Sequence, residues 1–202
     1  MLTIYGVHRS RASRNIWLAH EIGLPFRQVP VMQAYRLRNP DAPNGHIPSM
    51  DDDGLVLHES LAINLYLAKK YGGVLGSQNV AEDGKMGMWA LWAATEIEPS
   101  AIQILCHRVN YPESERDPNV VQAAIEALRR PIAVLDRELA ASSFLVGGRF
   151  TVADINVAEV VRYALPAPEL FEAVPSVRRW VEACHARPAY QRMMADRERE
   201  PA

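Results

Sequence analysis

Cysteine is scarce in this sequence, and its placement excludes several kinds of site. The only two cysteines among the 202 residues are Cys106 and Cys184. Their separation fits neither a CxxC pair nor the usual spacing of zinc ligands. The sequence therefore gives little support to a disulfide framework, a structural zinc site or a redox dithiol. A reducing cytoplasm is the expected compartment.

Long apolar runs and a strong excess of charge are also missing. No run approaches the roughly 18–20 apolar residues that cross a bilayer, and the start of the chain lacks a signal-peptide pattern. The net charge is −2, with a small positive balance in residues 1–76 and a negative one in the remainder. We therefore expect neither nucleic acid nor a membrane as a partner.

The first 73 residues alternate between short apolar runs and helical patterns. The predicted order is strand, helix, strand, loop, strand, strand, helix, which predicts a four-stranded mixed sheet with helices packed on it. The strands are predicted at LTIY (2–5), FRQVPV (26–31), IPSM (47–50) and LVLH (55–58), and the helices at 12–22 and 59–71. The right-handed crossover rule predicts that the first two strands are parallel. The last two strands are predicted to form a hairpin around the turn Asp53-Gly54.

Helical patterns dominate the rest of the chain. Residues 75–84 are predicted to form a linker, and helices are predicted at about 85–109, 118–140, 151–165 and 175–187, with a short one ending near 196. Pro99 and Pro131 are expected to kink or break their helices. The predicted domains are therefore an α+β unit over 1–74 and an all-helical unit over 85–202.

One helix start, FTVAD at 150–154, carries a strong folding signal. Thr151 is placed to cap the helix, Asp154 to reach back to the cap, and Phe150 to pack onto Ile155. We interpret this pattern as a folding signal rather than a chemical site.

The segment VHRSRASRN (7–15) allows two interpretations of Ser10. It can cap the following helix, or it can donate its hydroxyl to a bound thiolate whose pKa the helix N-terminus lowers. A serine without an adjacent base is not expected to be a nucleophile. The basic run is too short, and too poor in aromatic residues, to favour nucleic-acid binding.

Two further motifs have both a structural and a functional interpretation. Pro48 in GHIPSM is tolerated at the start of a strand, but a cis Ile47–Pro48 bond would turn the Ile47 backbone towards an extended peptide ligand. Glu59 and Ser60 in LHESLA can cap a helix. Alternatively, Ser60 and the helix N-terminus can hold a carboxylate while Glu59 receives an ammonium group.

Taken together, Ser10, NGHIP (44–48), HES (58–60) and FTVAD (150–154) resemble the cytosolic glutathione S-transferases in order and spacing. The resemblance covers essentially the whole chain. It implies a thioredoxin-like first domain, a helical second domain and a homodimer. It is strongest to serine-type bacterial members of the theta, delta, phi or beta kind.

The resemblance also implies roles for individual residues. Ser10 would stabilise the thiolate, a cis Pro48 would let Ile47 hold the cysteinyl backbone, and Glu59 and Ser60 would hold the γ-glutamyl ammonium and carboxylate. His46 would lie near the glycyl end, and the cationic side chains of Arg11, Arg36 and Arg38 are candidates for a carboxylate contact. Tyr5, near the position of a catalytic tyrosine in other classes, is expected to be buried.

The implied reaction is the addition of glutathione, a co-substrate, to a small hydrophobic electrophile without a metal. Peroxide reduction, dehalogenation and isomerisation would use the same thiolate, and a non-catalytic binding or scaffold role is the alternative. The electrophile pocket is expected between the domains, along the 85–109 helix. Gln103, Cys106 and His107 can either face that pocket or pack in the core.

Overall fold

Strands and helices alternate along the first part of the chain in the predicted order. The computed structural model describes residues 1–31 and 45–200. Its strands are β1 (Leu2–Tyr5), β2 (Phe26–Val29), β3 (Ser49–Asp52) and β4 (Leu55–His58), and its first helices are α1 (Ser13–Glu21) and α2 (Ser60–Tyr71). The sheet order is β2-β1-β3-β4, with β1 parallel to β2 and antiparallel to β3. The predicted mixed sheet and the parallel first pair are confirmed.

The β3–β4 connection has the predicted tight turn. Asp53 and Gly54 both have positive φ, 53° and 93°. Two-residue hairpin loops favour this combination because its twist matches that of the strands. The turn fixes the register of β3 against β4, in which Ser49 pairs with His58.

Helices make up most of the second part of the chain. They are α3 (Val80–Trp92), α4 (Glu98–Leu105), α5 (Pro118–Ala141), α6 (Val152–Val161), α7 (Pro175–His185) and α8 (Pro188–Arg199), with π-helical segments at Ala93–Ile97 and Cys106–Asn110. None of the helices in the described ranges is long and apolar enough to span a bilayer.

The helical prediction and the structure can be compared at three places. Helix α3 begins at Val80, inside the predicted linker, because Glu82 in its first turn is held by Arg149 through paired contacts of 2.6 and 3.0 Å. The predicted 85–109 helix is interrupted ahead of Pro99, which lies in the first turn of α4, where its missing N–H is tolerated. Helix α5 runs through Pro131 without ending.

The described residues form two compact units that differ from the predicted domains. The first contains the residues up to Val80 together with those from His185 onwards, and the second is Ala81–Cys184. Helix α8 belongs to the first unit because it packs on α1. The Trp17 ring meets Tyr190 edge to face at 4.9 Å, and Arg187 Nε donates to Glu21 Oε1 at 2.7 Å.

The predicted capping box at α6 is present, and Asp154 does more than cap the helix. Thr151 and Asp154 form the reciprocal cap, with the Thr151 N–H donating to Asp154 Oδ2 at 2.9 Å. Asp154 Oδ1 also accepts from the Leu145 N–H at 3.1 Å and from Trp180 Nε1 at 2.9 Å. This buried carboxylate therefore joins a loop and two helices of the second unit.

A second buried carboxylate joins β3 to α2 in the first unit. The side chain of Asp52 is 2% exposed and accepts hydrogen bonds from Lys70 at 2.7 Å, Tyr66 at 2.8 Å and Tyr71 at 2.9 Å. Burial alone would raise the pKa of Asp52, but these three donors outweigh it and hold the pKa below its usual value.

We expect Asp52→Asn to destabilise the protein in a pH-dependent way. Because the pKa of Asp52 is lower in the folded state, its stabilising contribution is present above the unfolded pKa and is lost as pH falls through the folded one. At pH 7 the free energy of unfolding should fall by about 1–3 kcal/mol. The deficit should shrink below about pH 4, as measured by urea unfolding across pH.

The matched control is Asp53→Asn at the adjacent position. The Asp53 side chain is 73% exposed, so this change should alter the unfolding free energy by no more than about 0.5 kcal/mol. An Asp52→Asn deficit that stays constant from pH 3 to pH 7 would contradict the assigned role of the carboxylate.

Candidate functional site

The register of the sheet brings three predicted motifs to one end of it. Tyr5, the last residue of β1, pairs with Ser49, the first residue of β3, and Ser49 pairs in turn with His58, the last residue of β4. The segments just beyond these residues are therefore neighbours. They are the turn that carries Ser10, the Ile47–Pro48 pair and the Glu59–Ser60 helix start.

Gly6 allows two of these segments to approach closely. It has a φ of +138°, and a Cβ built on it would lie 3.3 Å from Ser10 Oγ and 3.6 Å from Ile47 Cβ. The same Cβ would lie only 2.7 Å from Ala12 Cβ, a separation too short for any side chain. Glycine is thus required at the point where Ser10 and Ile47 come together.

Ser10 lies in the turn that leads into α1. Its N–H and its hydroxyl both bond the Val7 carbonyl, at 3.0 and 2.7 Å, and its Oγ accepts from the Ala12 N–H at 3.1 Å. The N-cap of α1 is Ala12, which makes no side-chain cap. Ser10 thus makes the capping type of hydrogen bond, to the N–H two residues on, while its half-buried hydroxyl donates back into the turn.

Ile47 and Pro48 lie beside this turn. Their peptide bond is cis, as the resemblance implies, and Pro48 is buried whereas Ile47 is half-buried. His46 is exposed, and its carbonyl accepts from Ser49 Oγ at 2.8 Å. The Ile47 Cβ and the Ser10 hydroxyl are thus neighbours at Gly6.

Glu59 and Ser60 form the start of α2. Glu59 is exposed and holds a φ of 69°, which is rare for a residue with a long side chain and which is found most often at functional sites. Ser60 is buried, and its Oγ accepts from Arg14 Nη1 at 2.9 Å. Because that oxygen is already an acceptor, its own proton is available to donate to an anion at the helix N-terminus.

The sequence analysis assigned no role in the site to Arg14 or Asn15, yet both contact the candidate site. Asn15 Nδ2 donates to the Ser60 carbonyl at 2.8 Å and to Asn64 Oδ1 at 2.7 Å. Arg14 and Asn15 are 1% and 0% exposed. The signal that could have identified them is a pair of polar residues in the first turn of a short helix between two core strands.

The remaining candidates are more scattered. Arg11 is exposed in the turn that follows Ser10, and Tyr5 is half-buried rather than fully buried. Arg36 and Arg38 lie outside the described residues.

The candidates for the electrophile pocket lie in the second unit. Gln103 is exposed, Cys106 is half-buried, and His107 Nδ1 accepts from the Asp117 N–H at 3.0 Å. His107 thus has a structural contact at the start of α5.

The site as a whole suits an extended, zwitterionic peptide. One end offers a hydroxyl and a helix N-terminus for a carboxylate, with the Glu59 carboxylate beside them for an ammonium group. The middle offers the Ile47 backbone, and the Ser10 hydroxyl lies next to the Ile47 side chain. Nothing in this set of groups can act as a strong base, so the site is better suited to holding an anion than to removing a proton from carbon.

Comparison with known proteins gives a consistent family assignment. Residues 4–75 match the family model of the glutathione S-transferase N-terminal domain, and residues 96–188 match that of the C-terminal domain. Glutathione S-transferase 3 of Zea mays is 32% identical over 96% of this chain and 93% of its own.

Two solved structures extend this similarity to three dimensions. The glutathione-bound theta class glutathione S-transferase of Xanthomonas axonopodis pv. citri is 31% identical, with a TM-score of 0.82 over 95% of both chains. Ure2p5 of Phanerochaete chrysosporium, cocrystallised with 1-(S-glutathionyl)-2,4-dinitrobenzene, is 25% identical. Its TM-score is 0.83 over 98% of this chain and 94% of its own.

Proposed function

This chain belongs to the glutathione S-transferase family and is a glutathione S-transferase, and we propose that it ionises glutathione at Ser10 for attack on a small hydrophobic electrophile. The observation that carries the proposal is the approach of the Ser10 hydroxyl and the Ile47 side chain to the same point beside Gly6. A thiol on a peptide paired with the Ile47 backbone would lie within reach of the Ser10 hydroxyl.

In this proposal glutathione is held along its whole length. Its cysteinyl backbone pairs with the N–H and C=O of Ile47, in the manner of an added strand. Its γ-glutamyl carboxylate accepts from the Ser60 hydroxyl at the N-terminus of α2, and its ammonium group lies against Glu59. His46 and Arg11 are exposed and are assigned to the glycyl carboxylate.

The proposed chemical role of Ser10 is to donate a hydrogen bond to the thiolate. A donor that stabilises only the charged form lowers the pKa of the thiol from about 8.5, so more thiolate is present at neutral pH. The thiol proton leaves to solvent. The sulfur then forms a C–S bond with the electrophile, and a leaving group departs with the bonding electron pair.

Conjugation is the preferred reaction within this proposal. The conjugate in the Ure2p5 structure has its sulfur joined to an aromatic carbon. Peroxide reduction, dehalogenation and isomerisation remain alternatives because they begin from the same thiolate. The proposed location is the cytoplasm, a reducing compartment that suits a chain whose two cysteines have neither CxxC nor metal-ligand spacing.

We expect Ser10→Ala to separate ionisation of glutathione from its binding. A hydrogen bond to a charged group contributes about 1.5–3 kcal/mol, so conjugation of a chloronitrobenzene should slow about 10–100-fold. The ultraviolet absorbance of the bound thiolate at pH 7 should fall, whereas calorimetry should show glutathione affinity changed by less than about threefold.

Ser13→Ala, a serine three residues further along, is the control and should keep both thiolate absorbance and turnover. Unchanged absorbance in Ser10→Ala would exclude Ser10 as the thiolate donor. Wild-type protein that binds glutathione but turns over no electrophile in a broad panel would favour the non-catalytic alternative.

The γ-glutamyl site is tested by pairing a variant with a truncated ligand. Wild type should bind glutathione more tightly than the dipeptide Cys-Gly, which lacks the γ-glutamyl group. Glu59→Gln should reduce that preference about 10-fold, because its partner ammonium group is present only in glutathione. Glu172→Gln, an exposed acid in the second unit, should leave the preference intact. If Glu59→Gln keeps the full wild-type preference for glutathione over Cys-Gly, the ammonium group does not bind at Glu59.

A second copy of the chain is the proposed protein partner. The edge strand β4 exposes Leu55 and Val56 by 42% and 45%, and α3 exposes Met88 and Leu91 by 52% and 69%. Met88 and Leu91 are three residues apart and therefore share one face of their helix. Uncovered apolar side chains on an edge strand favour association, and a homodimer would cover them.

We expect Val56→Glu and Leu91→Glu each to shift the protein from dimer to monomer in sedimentation velocity at micromolar concentration. A charge placed in an apolar interface loses its hydration without gaining a partner. Val109→Glu, a change at a residue that is 52% exposed outside β4 and α3, is the control and should stay dimeric. If the wild-type protein sediments as a monomer, the proposed homodimer is wrong.

A further inference from the structure

The turn that carries Ser10 is held from outside by the end of α8. Glu200 Oε1 accepts from the His8 N–H at 2.9 Å and from His8 Nδ1 at 2.8 Å, and Glu200 Oε2 accepts from the Arg9 N–H at 3.1 Å. A carboxylate is only an acceptor, so the His8 ring carries its proton on Nδ1 in this contact. The Glu200 side chain is 14% exposed, and that of His8 is 10% exposed.

These contacts occupy the outer side of the turn. The Ser10 N–H closes the turn on the Val7 carbonyl, so the N–H groups of His8 and Arg9 between them are not used by the closing bond. Glu200 supplies the acceptor for both. Arg197 adds a second contact by donating from Nη1 to the His8 carbonyl.

Helix α8 is a firm support for this contact because it is fixed to α1 at its other end. Arg187 bonds Glu21, the last residue of α1, and Tyr190 packs on Trp17 and stacks on His185 at 4.1 Å. The turn before α1 and the helix itself are therefore attached to the same partner. A half-buried carboxylate that accepts three N–H bonds restrains the turn more strongly than a neutral acceptor would.

We propose that Glu200 is a positioning residue for the reaction, which fixes the Val7–Ser10 turn so that the Ser10 hydroxyl meets the glutathione thiolate. The inference rests on the proposed function of Ser10. Glu200 touches the backbone of the turn and the His8 ring, and its effect reaches the sulfur only through the turn.

The test is Glu200→Gln, read out by titrating the thiol of bound glutathione through its thiolate absorbance. A loosened turn weakens the Ser10 hydrogen bond, so the pKa of the bound thiol should rise by about one unit. The kcat for conjugation should fall about 10-fold, and the Kd for glutathione should change less than about threefold.

The direction of this pKa change separates positioning from simple electrostatics. Removing a negative charge near the sulfur would, on its own, lower the pKa of the thiol. A lowered or unchanged pKa in Glu200→Gln therefore overturns the inference. Glu198→Gln removes the same charge from an exposed side chain two residues away, and it should match wild type in every readout.

Amide hydrogen exchange of the glutathione-free protein tests the Glu200 contact separately from the role of Ser10. The amides of His8 and Arg9 should exchange at least about 10-fold faster in Glu200→Gln, and unchanged exchange overturns the inference. Wild-type protein without a thiolate band would instead refute the role of Ser10. If Glu200→Gln does not fold, Arg197→Met removes the second contact of α8 to the turn, at the His8 carbonyl, and should also raise the thiol pKa.

Discussion

The hydrogen-bond register between β1, β3 and β4 is the constraint on which the site depends. Each motif of the site lies just beyond a strand end, so the pairing of Tyr5 with Ser49 and of Ser49 with His58 decides which residues meet. A slip of one residue would turn the side chains of a strand to the opposite face. The buried Ile4 and Met50 pair across β1 and β3, and the tight Asp53-Gly54 turn fixes β4.

A buried polar layer between α1 and α2 then sets the position of the carboxylate site. Arg14 and Asn15 bond Ser60, and Asn64 Nδ2 returns a bond to the Arg14 carbonyl at 3.1 Å. Buried polar groups are costly when unsatisfied, so these partners restrict how α2 can sit against α1. The same contacts orient the Ser60 hydroxyl, which links the packing of two helices to the recognition of an anion.

Local signals were sufficient to predict the features that depend on neighbouring residues. Asp53-Gly54 identified the hairpin, Thr151 and Asp154 identified the α6 cap, and the spacing of the strands gave the mixed sheet. The missed features depend on residues far apart in the chain. Arg149 extends α3 back to Val80 through Glu82, and Glu200 reaches His8 across 192 positions. The sequence pattern around Ser10 could not show that its hydroxyl donates to the Val7 carbonyl while its oxygen accepts from the Ala12 N–H.

The bond from Ser10 to Val7 bears directly on how the site can distinguish a thiolate from a thiol. A hydroxyl has one proton, so Ser10 must give up the 2.7 Å bond to the Val7 carbonyl in order to donate to sulfur. A neutral thiol is a weak acceptor and does not replace a carbonyl. A thiolate forms a charge-assisted bond that is about twice as strong as a neutral one, so the exchange favours only the ionised ligand. Stabilising one protonation state and not the other is what lowers a pKa. This selective stabilisation requires that the turn stay in place while the Ser10 hydroxyl changes its partner. The Glu200 contacts on the outer side of the turn hold it in place.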